Sequence, residues 1–363
     1  MDPVQCLEPF ATSRIPRLLI GVSGGGDSIA LLRAAGEARS RFPNFPSFEA
    51  ITVDHALRAE SADEARFVRR TCEVLGVPHR TVKVATGAPT TGIQAWARNE
   101  RLNAFRRAAE EQPGTVVLTA HTSDDSAETS SMRLRRAVYP AQFGLIGMAP
   151  FVWLHGGWLY RPFLPLSRCS LRDYLRSAEQ RWIDDPSNFD QRFERSVVRG
   201  QLEENRQIKR NLLKFGSKEA AERTRLGIQA AQVIEEHFRS SGDHGFAVSL
   251  GPREIVDDPA CLLALRAVGG HVGGHVNLPT AAKVGTALKG LLDRDGAVGA
   301  ARCLFRARGQ RLTVEREHRR GGPPVHAPEL HPWPTLVPAH DLALANALYG
   351  SLGFPNIPEP PVG

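Results

Sequence analysis

Strand-like and helix-like segments alternate along the first 130 residues of this 363-residue chain. Four apolar or β-branched runs, each bounded by glycine, proline or polar residues, predict strands. They are RLLIGV (17–22), FEAITVDH (48–55), RTVKV (80–84) and TVVLTAH (115–121). The segments 61–76 and 92–111 lie between them and have the patterns of amphipathic helices. Such alternation predicts an α/β fold with a doubly wound parallel sheet covered by helices.

Composition divides the rest of the chain. We predict a first domain over 1–205, a helical linker over 206–240 and a smaller C-terminal α+β domain over 241–320. Residues 321–363 hold 10 of the 26 prolines, so this tail is predicted to be mostly extended and partly ordered. GGHVGGHV (269–276) is interpreted as a glycine-rich connection, because no cysteine or carboxylate completes a metal site there.

Charge and cysteine content narrow the classes of protein. The net charge of +7 favours a polyanionic partner, and residues 161–225 carry 15 Lys/Arg against 10 Asp/Glu. Five scattered cysteines without a CxxC pair argue against a disulfide framework or a zinc ribbon. No apolar run approaches the ~18 residues of a membrane helix, and the first residues do not resemble a signal peptide. We therefore expect a cytoplasmic protein without a membrane partner.

The six residues Ser23-Gly24-Gly25-Gly26-Asp27-Ser28 join the first predicted strand to a helix. Their spacing fits neither a Walker A loop nor a dinucleotide-binding fingerprint. Glycines and a helix N-terminus present backbone N–H groups to an anion. Asp27 would repel phosphates unless Mg²⁺ lay between them. The loop therefore favours a phosphate site, and a plain strand-to-helix turn capped by Asp27 or Ser28 is the alternative.

Further motifs follow this loop in order. SGGGDS resembles the S-G-G-x-D-S loop of ATP pyrophosphatases that adenylate a substrate. The others are VDHALR (53–58), the A-R-x-x-R element at 97–101, HTSDDSAET (121–129), RPFLPLSR (161–168) and DPSNFDQRFERSVVR (185–199). Together they resemble the tRNA(Ile)-lysidine synthetase family over about residues 17–200. The resemblance implies an adenine nucleotide alpha hydrolase-like fold and a tRNA-binding role for 241–320.

The resemblance also implies a reaction. ATP and Mg²⁺ would adenylate the wobble cytidine of a tRNA(Ile) with a CAU anticodon, releasing pyrophosphate. Free L-lysine would then displace AMP and form lysidine, which makes the protein a carbon–nitrogen ligase. Two alternatives remain: a related tRNA-thiolating enzyme, against which the absence of CxxC argues, and a non-catalytic tRNA-binding paralogue. The oligomeric state is open, with a homodimer as one alternative.

Site residues follow from the resemblance, and structural alternatives stay open: of the adjacent Asp124 and Asp125, one could cap a helix while the other is solvated. The loop Ser23–Ser28 would hold ATP phosphates, and Asp54 with His55 would lie beside adenine and ribose; a lone histidine at a strand end can also be structural. The remaining predicted residues are Asp27, Asp124 and Asp125 for Mg²⁺, Arg98 and Arg101 for phosphoryl charge, and Arg192, Arg195 and Arg199 for tRNA. For the two arginine groups the alternatives are a solvated helix face and a salt-bridge cluster at a helix start.

Four positions depart from the family pattern. Thr122 replaces the second histidine of H-H-x-D-D-Q-x-E-T, and Ser126 replaces its glutamine. Leu102 stands where tyrosine is usual, and Ser196 stands in place of an asparagine. These substitutions leave the predicted carboxylates Asp124 and Asp125 in place, but they keep the non-catalytic alternative open.

Overall fold

A computed structural model describes most of the chain, in two compact units. The described residues are 1–55, 61–84, 87–136, 147–154, 157–184, 194–241, 245–275, 278–292, 295–317, 337–352 and 356–361. The first unit comprises Met1–Ala220 with Pro360–Gly363, and the second comprises Ala221–Glu359. Their boundary falls inside the segment predicted to be a helical linker.

The first unit contains the predicted parallel sheet. Its strands are β1 (Arg17–Gly21), β2 (Ser47–Asp54), β3 (His79–Lys83), β4 (Val116–Leu118), β5 (Phe151–Trp153) and β6 (Trp158–Tyr160). They lie in the order β5-β6-β4-β1-β2-β3, with every pairing parallel except β5–β6. Leu18, Leu19 and Ile20 of β1 are fully buried, as expected for a central strand covered on both faces. The α/β fold predicted from the sequence is confirmed.

Strand order determines where a ligand can bind. From β1 the chain proceeds outward to β2 and β3, and then returns to β4 on the other side of β1. The carboxyl ends of β1 and β4 therefore flank a topological switch point, where open α/β sheets bind their ligands.

Helices connect these strands. They are α1 (Gly26–Arg41), α2 (Ser61–Val74), α3 (Ile93–Glu110), α4 (Ser123–Arg136), α5 (Arg168–Ser177), α6 (Glu194–Glu204) and α7 (Arg206–His237). The helices predicted over 61–76 and 92–111 are present as α2 and α3. Local capping explains where α5 begins, because the Ser167 side chain accepts a hydrogen bond from the backbone N–H of Ser170 at 3.1 Å.

The second unit combines helices with an antiparallel sheet. Its strands β7 (Phe238–Ser240), β8 (Gly245–Val248), β9 (Gly296–Ala300), β10 (Cys303–Arg308) and β11 (Arg311–Arg316) lie in the order β7-β8-β11-β10-β9. Its further helices are α8 (Pro252–Asp257), α9 (Pro259–Val272), α10 (Ala281–Lys289) and α11 (Leu342–Ser351). The predicted α+β character of this region is confirmed. Across the described ranges, no helix has both the length and the apolar composition of a bilayer span.

Two segments differ from the sequence prediction. Gly269–Val272, interpreted as a glycine-rich connection, are instead the last turn of α9. A Cβ on Gly269 would lie 3.7 Å from the Phe305 ring, so a small residue lets the helix approach β10. The tail predicted to be mostly extended contains α11, since Leu344 and Leu348 are fully buried and this burial favours a helix despite the surrounding prolines.

Candidate active site

A cavity of about 500 Å³ opens at the switch point of the parallel sheet. The Ser23–Ser28 loop forms one wall and the end of β2 another. Helix α3 contributes Arg98, Arg101 and Leu102. Further lining residues come from the end of β4, from α4, from α5 and the segments on either side of it, and from α6; they include His121, Asp125, Arg161, Arg168, Ile183, Arg195 and Arg199. Most residues that the sequence predicted for ATP thus line one cavity.

The glycine loop is held open by tertiary contacts. Gly24 has a φ of +90°, a left-handed conformation that favours glycine, and its carbonyl accepts a hydrogen bond from Ile183 N at 2.9 Å. The Ser28 hydroxyl donates to the Gly25 carbonyl at 2.9 Å and accepts from Ser23 N at 3.1 Å. The loop therefore leads into α1 with the helix N-terminus at the cavity, the geometry of an anion site.

Asp27 lies at this helix start, next to Arg168. Its Oδ2 accepts from Arg168 Nε at 3.4 Å. Burial raises the pKa of Asp27 to about 6, Arg168 opposes the rise, and Asp125 adds to it. Because burial is the main cause of this rise, a cation bound beside Asp27 would favour its charged form.

Two acidic residues of α4 hold a group of arginines. Asp125 Oδ1 accepts from Arg168 at 3.1 Å and from Arg195 at 2.7 Å. Glu128, whose side chain is 1% exposed, bonds to Arg168, Arg195 and Arg199 at 3.3, 2.7 and 2.9 Å. Burial disfavours ionisation of Asp125, but Arg195 and Arg168 outweigh it and lower its pKa. Burial also disfavours charge on Arg168 and Arg195, yet the nearby carboxylates raise both pKa values.

This network changes the interpretation of the predicted tRNA-binding residues. Arg195 and Arg199 lie in ion pairs at the start of α6, which is the structural alternative that the sequence left open. Arg192 lies outside the described residues. Ser196 is on α6 and is not among the residues lining the cavity.

Asp124 points elsewhere. Its Oδ1 accepts from Lys209 Nζ at 2.5 Å and its Oδ2 accepts from Arg168 N at 2.9 Å. It is absent from the cavity lining, whereas Asp27 and Asp125 are present there. Among the described residues no group of three or more His, Cys, Asp or Glu side chains is arranged to hold a metal by itself. Mg²⁺ needs one or two protein carboxylates when phosphates supply further oxygens, so Asp27 and Asp125 fit that role better than Asp124.

Arg98 and Arg101 lie in a part of the cavity where positive charge is in excess. In the part of the chain that the structure describes, neither has a carboxylate partner. Burial lowers the pKa of both arginines. Arg195 lowers the pKa of Arg98 further, and Arg98 and Arg195 together lower that of Arg101 further. Cationic side chains that repel one another around a cavity create a site for an anion.

Sequence reasoning missed Arg161 and Arg168 as site residues. Arg161 is 5% exposed and lines the cavity, and its buried Nε has no hydrogen-bond partner within the described part of the chain. Arg168 contacts Asp27, Asp125 and Glu128. Both belong to RPFLPLSR, so this motif was the signal that could have identified them. Nothing in the sequence indicated that Ile183 closes the glycine loop.

Asp54 and His55 lie at the end of β2, as predicted, and line the cavity. The His55 ring centroid is 5.8 Å from that of Trp96. Burial and Arg101 lower the pKa of His55, which favours an uncharged imidazole. A neutral ring and an aromatic neighbour suit a heterocyclic base better than a phosphate.

The substitutions at Thr122 and Ser126 have structural explanations. Thr122 is fully buried and precedes α4, where its N–H and hydroxyl donate to Asp125 Oδ2 at 2.7 and 2.9 Å. Ser126 Oγ accepts from Met148 N at 3.1 Å, which attaches α4 to the strand connection before β5. Thr122 therefore caps the helix and fixes the orientation of the Asp125 carboxylate.

We predict that Thr122→Val lowers the free energy of unfolding by about 1–2 kcal/mol, because the buried cap is lost without a change in side-chain size. Thr122→Ser retains the hydroxyl and should recover most of this loss. Urea unfolding followed by tryptophan fluorescence measures both variants. Equal stability of Thr122→Val and the wild type would contradict the capping role.

His121 should make the protein sensitive to acid. Burial and Arg161 lower its pKa to about 3, while the pKa of a histidine in an unfolded chain is about 6.5. Because the unfolded chain binds this proton first, stability falls as the pH falls from about 6.5 towards 3. The change should be about 2–3 kcal/mol between pH 7.5 and 4.5.

His121→Asn should remove that pH-dependent loss and leave an amide to bond with Thr119, whose hydroxyl lies 3.0 Å from His121 Nδ1. Urea unfolding at the two pH values gives the comparison, with His237→Asn as the matched control. The prediction fails if the His121→Asn protein loses as much stability on acidification as the wild type.

The sheet order, the glycine loop and the arginine-rich cavity define an α/β nucleotide-binding protein of the PP-loop class. Residues 3–206 match the PP-loop domain family. Three tRNA(Ile)-lysidine synthases are similar to the chain. The enzyme of Mesorhizobium japonicum is 37% identical, and the match covers 72% of this chain and 59% of the relative. The enzyme of Rhizobium meliloti is 36% identical, and the match covers 86% of this chain and 70% of the relative. The enzyme of Ruegeria pomeroyi is 34% identical, and the match covers 87% of this chain and 75% of the relative.

The chain belongs to the tRNA(Ile)-lysidine synthase family. It spans 59% of the length of the Mesorhizobium japonicum relative.

Proposed function

We propose that this protein ligates L-lysine to the wobble cytidine of tRNA(Ile) in an ATP-dependent reaction. The observation that carries the proposal is the composition of one cavity: the Ser23–Ser28 loop on one side, and Arg98 with Arg101, which lack carboxylate partners among the described residues, on another. The negative charge of a triphosphate is complementary to both walls. Family membership indicates that cytidine is the acceptor and that lysine provides the amine.

In the first step the cytidine carbonyl oxygen attacks the α-phosphorus of ATP, and the bond to the β-phosphate breaks to release pyrophosphate. The loop binds the departing pyrophosphate through backbone N–H groups and the Ser23 hydroxyl, while the Ser28 hydroxyl bonds to the Gly25 carbonyl and holds the loop in place. Arg98 and Arg101 stabilise the charge that develops on the phosphoryl oxygens. In the second step the lysine amine attacks the activated carbon, loses a proton and expels AMP.

Asp27 and Asp125 are the side chains that would hold Mg²⁺. Carboxylate oxygens are ligands that this ion prefers, and burial raises the pKa of Asp27 to about 6 despite the neighbouring Arg168. When bound, Mg²⁺ would neutralise phosphate charge next to the loop. Arg168 forms an ion pair with each of these carboxylates and so keeps both of them at the cavity.

The cytidine has to leave its stack to reach the cavity. Bases in a single-stranded anticodon loop do so at low cost. His55 beside Trp96 suits the adenine ring, in line with the role that the family resemblance implies. A tRNA substrate also accords with the cytoplasmic location expected from the sequence. The homodimer stays a prediction, which sedimentation equilibrium tests.

Two alternatives make different predictions. None of the five cysteines lines the cavity, and burial raises the pKa of Cys72 and of Cys303 to about 12; thiolation by a cysteine-dependent route therefore lacks support. A non-catalytic paralogue would have lost Asp125 or its orientation. Thr122 instead preserves it through two hydrogen bonds.

Incubation of the protein with ATP, Mg²⁺, L-lysine and a tRNA(Ile) transcript tests the proposal. Nucleoside mass spectrometry should reveal cytidine that has gained a lysine with loss of water, and pyrophosphate should be released in equal amount. The matched substrate is the same transcript with uridine at the wobble position, which should remain unmodified. A thiolated nucleoside, or tRNA binding without pyrophosphate release, would replace this proposal by one of the alternatives.

A further inference from the structure

Basic residues line the exposed side of the first half of α7. Between residues 205 and 218 the chain has five basic side chains and no Asp or Glu. Four of them, Arg206, Arg210, Lys214 and Lys218, are exposed and follow one another at intervals of four. We call these four residues the α7 basic stripe. Residues four apart share one side of a helix, and the stripe extends about 18 Å along it.

The stripe differs from those exposed arginines of the first unit that have an acidic partner one turn away. Arg176 pairs with Asp173 at 2.8 Å, and Arg66 pairs with Asp63. Among the described residues no carboxylate pairs with a member of the stripe, and Arg210 bonds instead to the neutral Gln207 at 2.9 Å. The charge is therefore available to an external anion.

The opposite side of this helix segment is fixed to the first unit. Leu212 packs in a buried cluster with Ala127 of α4 and with Val198 and Leu202 of α6. Lys209 pairs with Asp124, and the next residue along, Asp125, lines the cavity. The stripe is thus displayed on a rigid helix that is attached to the element forming the active site.

We infer that the α7 basic stripe binds the ribose–phosphate backbone of the tRNA whose wobble base enters the cavity. Unpaired cations gain most from phosphates, because binding releases condensed counterions from the RNA. Phe215, whose side chain is 50% exposed, lies in the same segment and provides a surface on which a base can stack. This inference rests on the proposed function for the identity of the RNA.

An anionic membrane is the competing ligand for a basic helix. Membrane-surface helices need a broad apolar face that enters the lipid. Here the apolar side is occupied by α4 and α6, and the exposed apolar side chains of the segment are Ile208 and Phe215. Sequence-independent phosphate binding by RNA fits this distribution better.

The test uses a variant in which Arg206, Arg210, Lys214 and Lys218 are all changed to glutamine, a residue that keeps the helical propensity. Dissociation constants for the tRNA(Ile) transcript are measured over a range of salt concentrations. We expect binding at least about tenfold weaker, and a plot of log affinity against log salt that is flatter by about 2–3 units. ATP affinity should be unchanged, since the stripe lies outside the cavity lining.

The control carries the same change in charge elsewhere. Arg41, Arg66 and Arg176 are exposed, Arg106 is half-buried, and all four are ion-paired in the first unit. Their replacement by glutamine should alter the salt slope by less than one unit. An unchanged slope in the stripe variant, or loss of binding to phosphatidylglycerol vesicles with tRNA binding intact, would overturn the inference.

Failure of the stripe and failure of the function are distinguishable. If wild-type protein forms lysidine and the stripe variant keeps its salt slope, the stripe inference alone is wrong. If the salt slope of tRNA binding is flatter in the stripe variant and the wild-type protein modifies no cytidine, the stripe does bind RNA and the proposed reaction is wrong.

Discussion

Replacing Asp27 by alanine is expected to lower the rate of tRNA-dependent pyrophosphate release by about 10³-fold, the scale of losing one group that stabilises transition-state charge. Asp27 lies at the start of α1, in the loop proposed to hold pyrophosphate, and Arg168 bonds to it at 3.4 Å. The tRNA dissociation constant should change by less than about twofold, because phosphate contacts with RNA govern that affinity. Radiometric pyrophosphate release and filter binding measure the two quantities.

Asp173→Ala provides a matched control for this variant. Asp173 is an exposed carboxylate of the first unit that is paired with Arg176 and lies outside the cavity. The control should release pyrophosphate at the wild-type rate. Asp27 has no part in the chemistry if its alanine variant does the same.

Glu128→Gln should lower the free energy of unfolding by about 3 kcal/mol, the usual cost of breaking a buried ion pair on one side. The Glu128 carboxylate is the common partner of Arg168, Arg195 and Arg199. An amide keeps the shape of the side chain but leaves these cations without the charge that compensates them. Urea unfolding followed by tryptophan fluorescence gives the value.

Two further variants make the result interpretable. Glu203→Gln, on the exposed surface of α6, should change stability by less than about 0.5 kcal/mol. Adding Arg199→Gln to Glu128→Gln should recover part of the loss, because one uncompensated cation is removed. A Glu128→Gln protein as stable as the wild type would show that the arginines do not depend on this carboxylate.

The elements of the first unit could be predicted because their signals are local. The apolar run within RLLIGV forms the buried part of strand β1, and the segment 61–76, with its apolar residues three and four apart, contains α2. The glycine loop was recognisable for the same reason, since it lies between a strand and a helix in sequence. α11 was missed because its apolar residues are embedded among prolines, and the burial that stabilises it comes from residues distant in sequence.

The site was harder to predict than the fold. Arg98 and Arg101 lie in the cavity as expected. Arg195 and Arg199 are in ion pairs with α4, and their role in tRNA binding stays a prediction. A sequence shows that arginines are abundant in a segment. It does not show which of them lie close to a carboxylate, and this decides whether an arginine is available to a ligand.

The sequence by itself determined the parallel α/β architecture and membership of the family, and it marked the glycine loop as a predicted phosphate site, because each of these signals consists of residues that are close together in the chain. Tertiary structure alone decided that Ile183 closes the loop at Gly24 and that Arg168 joins Asp27 to Asp125. It also decided that no carboxylate in the described ranges pairs with the α7 basic stripe. Arg168 and Asp27 are 141 residues apart in the chain. Electrostatic contacts depend on distance in space, and only folding brings such groups together.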